Sequence, residues 1–495
     1  QESFATTATA AHADLLLPAT SWGEKEGTVT NSERRISRVR AAVPAPGNAR
    51  HDWAIAVEFA RRIETRLRPG QPTRFPYDTP ESVWSEHRES TRGRDLDITG
   101  MSYPMLDERG PQQWPLREGE AQGRARLYGD GIFTTPSGKA RFVDATFVPL
   151  AEPRDVRYPF SLNTGRLRDQ WHGMSRTGTL GRLFGHVPEP SIELHPHDAQ
   201  RLGLADGDLS HVTSRRGSLV LPVSVNDRVA PTQAFIAMHW GEEFVSGLTS
   251  RGERMAGVNA LTLPAFCPDS KQPELKHCAV KVLKADLPWR LLGAAWLPDE
   301  AALAARDALR ALMATLPFAT CVPFGHERSG VLFRAAAYDA PPVSLVEQIE
   351  SLLGLVQEPD DDKLLRYEDR RRGQRRAMRL RTRGADTHLE AFLLAGDVSA
   401  EGWIKALLQQ QLPAQAYGRM LLLPSAKAPV AVTLRGKQVC SCFDVSEPQI
   451  RESLSRCDGG GEQRLAQLQQ QLKCGTNCGS CLPELKRMVR SIVPA

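Results

Sequence analysis

Cysteine is missing from the first half of this chain: nine occur in 495 residues, and none precedes Cys267. So few thiols in so long a chain exclude a disulfide scaffold and fit a reducing compartment. No apolar run approaches the roughly 20 residues needed to cross a bilayer, so no membrane span is expected. There is no G-x-G-x-x-G fingerprint, so a Rossmann site for NAD(P)H is not expected either. Charge of one sign is also lacking. With 63 basic and 58 acidic residues the net charge is only +5, which excludes the strongly basic surface of a nucleic-acid binder. Residue 1 is Gln and no basic-then-apolar targeting segment follows. The chain is therefore expected to begin in mid-domain, with a processed N-terminus as the alternative.

Length alone allows about three domains at ~150 residues each; composition and patterning divide the chain into four stretches. The expected divisions are 1–155, 156–285, 286–430 and 436–495. In the first, the apolar Leu15–Leu17 predicts a buried strand. A polar loop follows, and Asp52 is placed to cap a helix whose inner face carries Trp53, Ala56, Val57, Ala60 and Ile63. Strand, loop and helix are α/β grammar. From Arg68 to about Asp155 the chain is rich in Pro, Gly and charge, and an irregular excursion is expected there.

Residues 156–285 read as β-rich. Tyr158–Leu162, Leu209–Thr213, Leu219–Val223 and Ala234–Met238 predict strands, His195–Leu202 a short helix and Asp206-Gly207 a turn. Short strands separated by turn signals predict a barrel. Residues 286–430 are less legible. A helix is expected over Ala301–Leu316. The acidic Asp360–Asp362 and the basic Arg370–Arg383 read as solvated faces or loops; the Arg-rich run could instead dock an acidic partner.

Six of the nine cysteines lie in the last stretch. Cys440-Ser441-Cys442 is a C-x-C pair and Cys478-Gly479-Ser480-Cys481 a C-x-x-C pair. Ser446-x-x-Gln449 is a capping box, with Val445 and Ile450 as its hydrophobic staple. A second helix carries Leu465, Leu468 and Leu472, and a third carries Leu485, Met488, Val489 and Ile492. Thiolates select zinc or iron–sulfur clusters. Zinc is one reading; C-x-C with C-x-x-C and flanking glycines fits a [2Fe–2S] cluster better. Cys457 and Cys474 are further thiols, Cys474 being a rival ligand by proximity. Cys267, Cys278 and Cys321 are expected to be buried apolar residues.

The tail, Val439–Cys442 with Cys474–Glu484, resembles the bacterioferritin-associated-ferredoxin type of [2Fe–2S] domain. The resemblance implies that Cys440, Cys442, Cys478 and Cys481 ligate the cluster. In the body, Asn163-Thr164-Gly165-Arg166 offers a glycine for close backbone approach, with a hydroxyl and a guanidinium beside it. Ala13–Pro18 and Glu26–Arg35 are similar to the molybdopterin oxidoreductases. Asn163–Arg166 and Asn259–Lys276 are similar to that family's dinucleotide-binding barrel. Asp97–Gly100, Gly110–Pro115 and the ferredoxin-like tail together resemble one subgroup, the large subunit of bacterial assimilatory nitrate reductases.

That resemblance implies an α/β plus β-barrel fold class: part of a molybdopterin-binding α/β domain, a double-psi-like barrel, a linking α/β region and a small all-α [2Fe–2S] domain. It implies a molybdenum bis(molybdopterin guanine dinucleotide) held by Glu26, Thr28, Asn31, Thr164, Gly165, Arg166, His172, Asn259, Gln272 and Lys276. A [4Fe–4S] cluster and the molybdenum ligand would need cysteines ahead of Gln1, so the chain taken alone is expected to be inactive. The implied reaction is reduction of nitrate to nitrite in the cytoplasm. The expected electron donor is a separate NAD(P)H-dependent flavoprotein, flavodoxin or ferredoxin, with neither nucleic acid nor membrane as partner. A formate dehydrogenase or a non-catalytic electron-transfer module are the rival readings.

Overall fold

The computed structural model describes residue 7 and residues 9–144, 146–248, 253–274, 276–356, 363–424, 427–429, 431–432 and 434–492. It divides into two units, Gln1–Val148 and Pro149–Ala495.

The first unit is built on a small antiparallel sheet. Strand β1 (Gly27–Thr30) pairs with β2 (Arg35–Val39), and β3 (Gln112–Gln113) pairs with β2 in turn. Helices α1 (Asp52–Leu67), α2 (Pro80–Ser90) and α3 (Tyr103–Arg109) accompany it. Thr79 caps α2 by accepting from the Ser82 N–H at 3.1 Å, and Ser102 caps α3 in the same way at 3.2 Å. Ile36, Trp84, Ile98, Met101, Tyr103, Leu106 and Leu116 make a compact core.

Three expectations fail in this unit. Leu15–Leu17 is exposed and forms no strand; an apolar run becomes a strand only where another backbone takes its hydrogen bonds, and the sheet here does not. Helix α1 forms, but His51 rather than Asp52 is its N-cap, Asp52 pairs with Lys25 at 2.9 Å, and Val57 is the buried residue on it. Ala56 and Ile63 are exposed. The stretch after Arg68 is not wholly irregular, since it supplies α2, α3 and most of the core. The two motifs at 97–100 and 110–115 are part of that framework. Buried Asp97 accepts from the Thr99 N–H at 2.9 Å and from the Gly93 N–H at 2.8 Å, and Gln112–Gln113 is β3 itself.

The second unit opens with a closed barrel. Its strands are β4 (Phe160–Gly165), β5 (Ile192–Leu194), β6 (Leu209–Thr213), β7 (Ser218–Val225), β8 (Gln233–Ala237) and, after β9 (Val245–Leu248) and β10 (Arg254–Ala256), β11 (Cys278–Lys284). The order around the barrel is β11-β4-β8-β5-β7-β6. The pairs β4–β8 and β5–β7 are parallel and the others antiparallel. Helix α4 (Pro196–Arg201) lies between β5 and β6.

Strands β9 and β10 leave the barrel for a second sheet. It takes β12 (Trp289–Leu297), β13 (Phe318–Phe324), β14 (Ser329–Ala337), β15 (Leu364–Asp369), β16 (Gln374–Arg383) and β17 (Asp386–Ala395), making eight strands ordered β10-β9-β13-β14-β12-β17-β16-β15. Both faces of its centre are covered. Leu291 and Ala295 of β12 pack with α5 (Asp299–Met313) and α6 (Val343–Leu352). Leu292, Ala294 and Trp296, one residue out of phase, share the barrel's core with Trp403 and Leu407 of α7 (Glu401–Gln409). A strand buried on both sides shows no alternation of apolar and polar residues, which is why this region is hard to read from sequence.

The basic run Arg370–Arg383 is a correction. It is not simply solvated: it contains β16, and Arg376 is fully buried, with Nη2 3.1 Å from Asp397 Oδ2. Arg375 is bidentate with Glu350 at 2.7 and 2.9 Å. The acidic Asp360–Asp362 lies outside the described residues.

The last piece is helical with a two-stranded ribbon: β18 (Gln438–Cys440), β19 (Val445–Ser446), α8 (Glu447–Ser455), α9 (Gly461–Leu472) and α10 (Leu482–Ser491). The Ser446–Gln449 capping box is present, and Val445 and Ile450 are buried. Among the described residues no helix is long and apolar enough to cross a membrane.

Candidate metal centre and cofactor-binding loops

The thiols of the tail come together in two pairs. Cys440 closes β18 and Cys481 is the N-cap of α10; both are buried in the same core, and their thiols influence each other's ionisation. Cys442 and the exposed Cys478 face each other, Sγ to Sγ, at 3.3 Å. The Cys481 thiol, with the backbone N–H groups of Phe443, Gly475 and Cys442, outweighs burial and lowers the Cys440 thiol, while that of Cys481 is raised. Ser480 lowers the Cys478 thiol, whereas burial raises that of Cys442.

Among the described residues, no three His, Cys, Asp or Glu side chains converge on one metal position. Four sulfurs in two pairs are a donor set that a two-iron centre with two sulfurs per iron would use. The surrounding backbone supports it. Gly475 has φ +81°, and a Cβ there would lie 2.7 Å from Leu482 Cδ2, so a side chain would push the N–H-bearing turn off Cys440. Cys474 is buried and its thiol is pushed up to about 11 by burial and by the Cys440 charge; it belongs to the packing around the centre. Cys457 is buried too, its Sγ 3.2 Å from the Ser453 carbonyl. Of the thiols expected to be buried, Cys278 and Cys321 are, but Cys267 is exposed in the 267–272 turn; polar neighbours there (Ser270 bonds its sulfur at 3.5 Å) replace an apolar pocket.

The barrel's candidate residues lie on loops that follow its strands. Thr164 and Gly165 end β4, with Thr164 buried and Arg166 exposed just beyond. A Cβ on Gly165 would lie 2.7 Å from Phe235 Cε2. Lys276 donates from Nζ to the Thr164 carbonyl at 2.7 Å, which brings these two candidates together directly. Asn259 sits exposed on a 3-10 turn, Val258–Ala260, which is tied down by the Val258 N–H to the Trp240 carbonyl at 3.0 Å. Gln272 is exposed, and its carbonyl accepts from the Cys267 N–H at 2.9 Å.

His172 is exposed at φ +43°. Sequence reasoning missed the residue that holds it. Buried His239 donates from Nδ1 to the His172 carbonyl and accepts the Leu167 N–H on Nε2, the latter at 2.9 Å. One neutral imidazole thus pins both ends of the 167–172 loop. The only sequence signal was its place just after β8.

Glu26, Thr28 and Asn31 belong to the first unit. Thr28 is in β1 opposite Arg38, and Glu26 is exposed. Asn31 closes the hairpin, its Oδ1 accepting from the Glu33 and Arg35 N–H groups at 2.9 and 3.0 Å.

Exposed Arg166, Asn259, Gln272 and Lys276 offer cationic and amide groups suited to an anionic dinucleotide. Comparison with known proteins agrees. Residues 1–62 match a molybdopterin oxidoreductase model, 160–279 a molydopterin dinucleotide binding domain and 438–491 a BFD-like [2Fe-2S] binding domain. A nitrate reductase of Klebsiella oxytoca is 34% identical over 98% of this chain and 51% of its own length. A nitrate reductase of Synechocystis sp. is 41% identical over 57% of this chain and 38% of its own. The F420-dependent formate dehydrogenase subunit alpha of Methanocaldococcus jannaschii is 34% identical over 56% and 37%. Among solved structures, acetylene hydratase from Pelobacter acetylenicus aligns with a TM-score of 0.40 at 19% identity, over 54% of this chain and 38% of that one. The chain spans about half the length, or less, of the curated relatives it matches.

Proposed function

Starting from a chain that belongs to the molybdopterin oxidoreductases and carries a BFD-like [2Fe-2S] domain, we propose that it serves the reduction of nitrate to nitrite in nitrate assimilation. Nitrate takes up two electrons and two protons and leaves as nitrite and water. The observation that carries this reading is the extent of one alignment. The similarity to the Klebsiella oxytoca nitrate reductase runs through 98% of the chain, whereas the formate dehydrogenase similarity covers 56% of it.

The pterin-held molybdenum, when bound, supplies oxygen-atom transfer coupled to two electrons. The chain's own part is to bind and orient it. Thr164, Gly165, Arg166, His172, Asn259, Gln272 and Lys276 are the residues proposed to hold the dinucleotide, with Glu26, Thr28 and Asn31 proposed from the first unit. Cys440, Cys442, Cys478 and Cys481 are proposed to hold the [2Fe–2S] cluster as the point of electron entry. Exposed Cys478 leaves that cluster accessible to a separate donor, a flavoprotein, flavodoxin or ferredoxin.

The test uses the product of the complete reading frame, purified without oxygen and assayed with a reduced dye and nitrate, and with formate and an oxidised dye. Nitrate-dependent dye oxidation in a molybdenum-containing preparation is the expected result. Formate oxidation without nitrate reduction would transfer the assignment to formate dehydrogenase. A cluster-bearing protein without molybdenum would make it an electron-transfer module.

A further inference from the structure

The barrel and the thiol-bearing domain are joined by polar contacts that gather on a short part of the barrel. Arg168 donates from Nη1 to Glu484 Oε2 at 2.9 Å and from Nη2 to the Val439 carbonyl. Ser441 donates from Oγ to Asp169 Oδ2 at 2.8 Å. His186 Nε2 lies 3.4 Å from the same Glu484 oxygen. The contacts are sheltered: the side chains of Arg168, Asp169 and Glu484 are 18%, 9% and 13% exposed.

Their placement is specific on both sides. Val439 precedes Cys440, Ser441 separates Cys440 from Cys442, and Glu484 lies one helical turn past Cys481. On the barrel side, Arg168 and Asp169 are the middle of the loop that His239 pins at Leu167 and at His172. That loop begins directly after Thr164, Gly165 and Arg166. A pinned loop offers two charged side chains to a thiol-bearing loop, and those side chains find both main-chain and side-chain partners there.

We propose that Arg168 and Asp169 are positioning residues that lock the thiol-bearing domain onto the barrel, holding the Cys440–Cys442 segment in fixed register with the loop leaving β4. Charged groups are costly to bury unless fully paired, and here each has its partners. Two cofactor sites that exchange electrons need a fixed separation, and rigid supporting residues are how such separation is kept. The functional meaning of the lock rests on the [2Fe–2S] reading; the lock itself does not.

Amide hydrogen exchange of residues 437–446 tests it in the complete protein, with iron content measured on the same samples. The variants are Arg168→Ala, Asp169→Ala, the conservative Asp169→Asn (which still accepts from Ser441) and, as a control, Arg456→Ala on an exposed helix pair. Loss of a hydrogen bond to a charged group predicts roughly tenfold or greater acceleration in the two alanine variants. Asp169→Asn should stay within about twofold of wild type, the neutral acceptor keeping most of the bond. Unchanged exchange in both alanine variants overturns the lock. Should either fail to fold, Ser441→Ala breaks the same contact from the other side and must accelerate exchange there; unchanged exchange in Ser441→Ala overturns the lock equally. A protein that shows the acceleration yet binds no iron keeps the lock and refutes the cluster.

Discussion

Arg334 grips Glu189 with two parallel bonds, Nε to Oε2 at 2.6 Å and Nη2 to Oε1 at 3.1 Å, and so fastens β14 of the large sheet to the segment entering β5 of the barrel. Lys405 Nζ adds a third contact to Glu189 at 3.4 Å. Burial alone would raise the Glu189 carboxyl; the Arg334 and Lys405 charges outweigh it and hold it at about 2. A carboxyl depressed by folding contributes stability above its ordinary value of 4.5, and that contribution is lost as pH falls towards 2. Glu189→Gln leaves Arg334 with Glu401, 2.9 Å from its Nη1, as its remaining carboxylate partner and should destabilise the second unit by about 1–3 kcal/mol at neutral pH. Denaturant unfolding of both proteins between pH 7 and 2.5 checks this: the gap between them should narrow below pH ~4.5, where the wild-type carboxyl loses its advantage.

His239 gives a second pH-dependent prediction of the same sign. Burial lowers its pKa, opposed in part by its bond to the His172 carbonyl, and its Nε2 must stay unprotonated to accept the Leu167 N–H. Its contribution is therefore full above its unfolded value of about 6.5 and is lost as pH falls through the lower folded value. His239→Ala leaves the Leu167 N–H without that acceptor and should cost about 1–3 kcal/mol. Amide exchange over 165–172 should accelerate in the variant, and unaltered exchange there would refute the pinning role.

The approach of Phe235 to Gly165 predicts a coupled pair. A methyl on Gly165 meets the aromatic ring at 2.7 Å, and overpacking of this kind costs about 1–3 kcal/mol. In a Phe235→Leu background the added cost of Gly165→Ala should shrink, because the obstructing ring atoms are gone. Thermal unfolding of the four proteins in the cycle measures the coupling; additive effects would mean the strain lies elsewhere.

The two-pair arrangement of thiols predicts which cysteines carry colour. Anaerobically purified protein should be brown, its tail centre contributing about two iron atoms per chain. Cys478→Ser should abolish the visible absorption of that centre, whereas Cys457→Ser, whose thiol bonds the Ser453 carbonyl, should leave it. Equal loss from both, or zinc in place of iron, would undo the ligand assignment.

Legibility followed the physics of each segment. Strand β6 is readable to the residue because polar turn segments, Asp206–Asp208 and Ser214–Gly217, bound the short Leu209–Thr213 segment on both sides. The capping box at Ser446 was readable because capping is local chemistry. Strands β5 and β11 were not identified: β5 is only three residues long, and β11 follows a loop whose polar composition hides the change. By composition Arg376 belongs to a charged surface run, but Asp397 and the Leu422 carbonyl give its guanidinium partners inside the protein. The exposed Leu15–Leu17 failed in the opposite sense, since apolar composition cannot say whether a neighbour is there to cover it.

Spacing and residue type alone determined the C-x-C and C-x-x-C motifs, the Ser446 capping box and the turns that bound strands such as β6, because each depends on interactions among residues close in the chain. Folding in three dimensions decided which sulfur faces which, that His239 holds the loop between Leu167 and His172, and that Asp169 meets Ser441. Those relations join residues tens to hundreds of positions apart. A hydrogen bond of under 3 Å between such residues depends on the packing of every element that separates them.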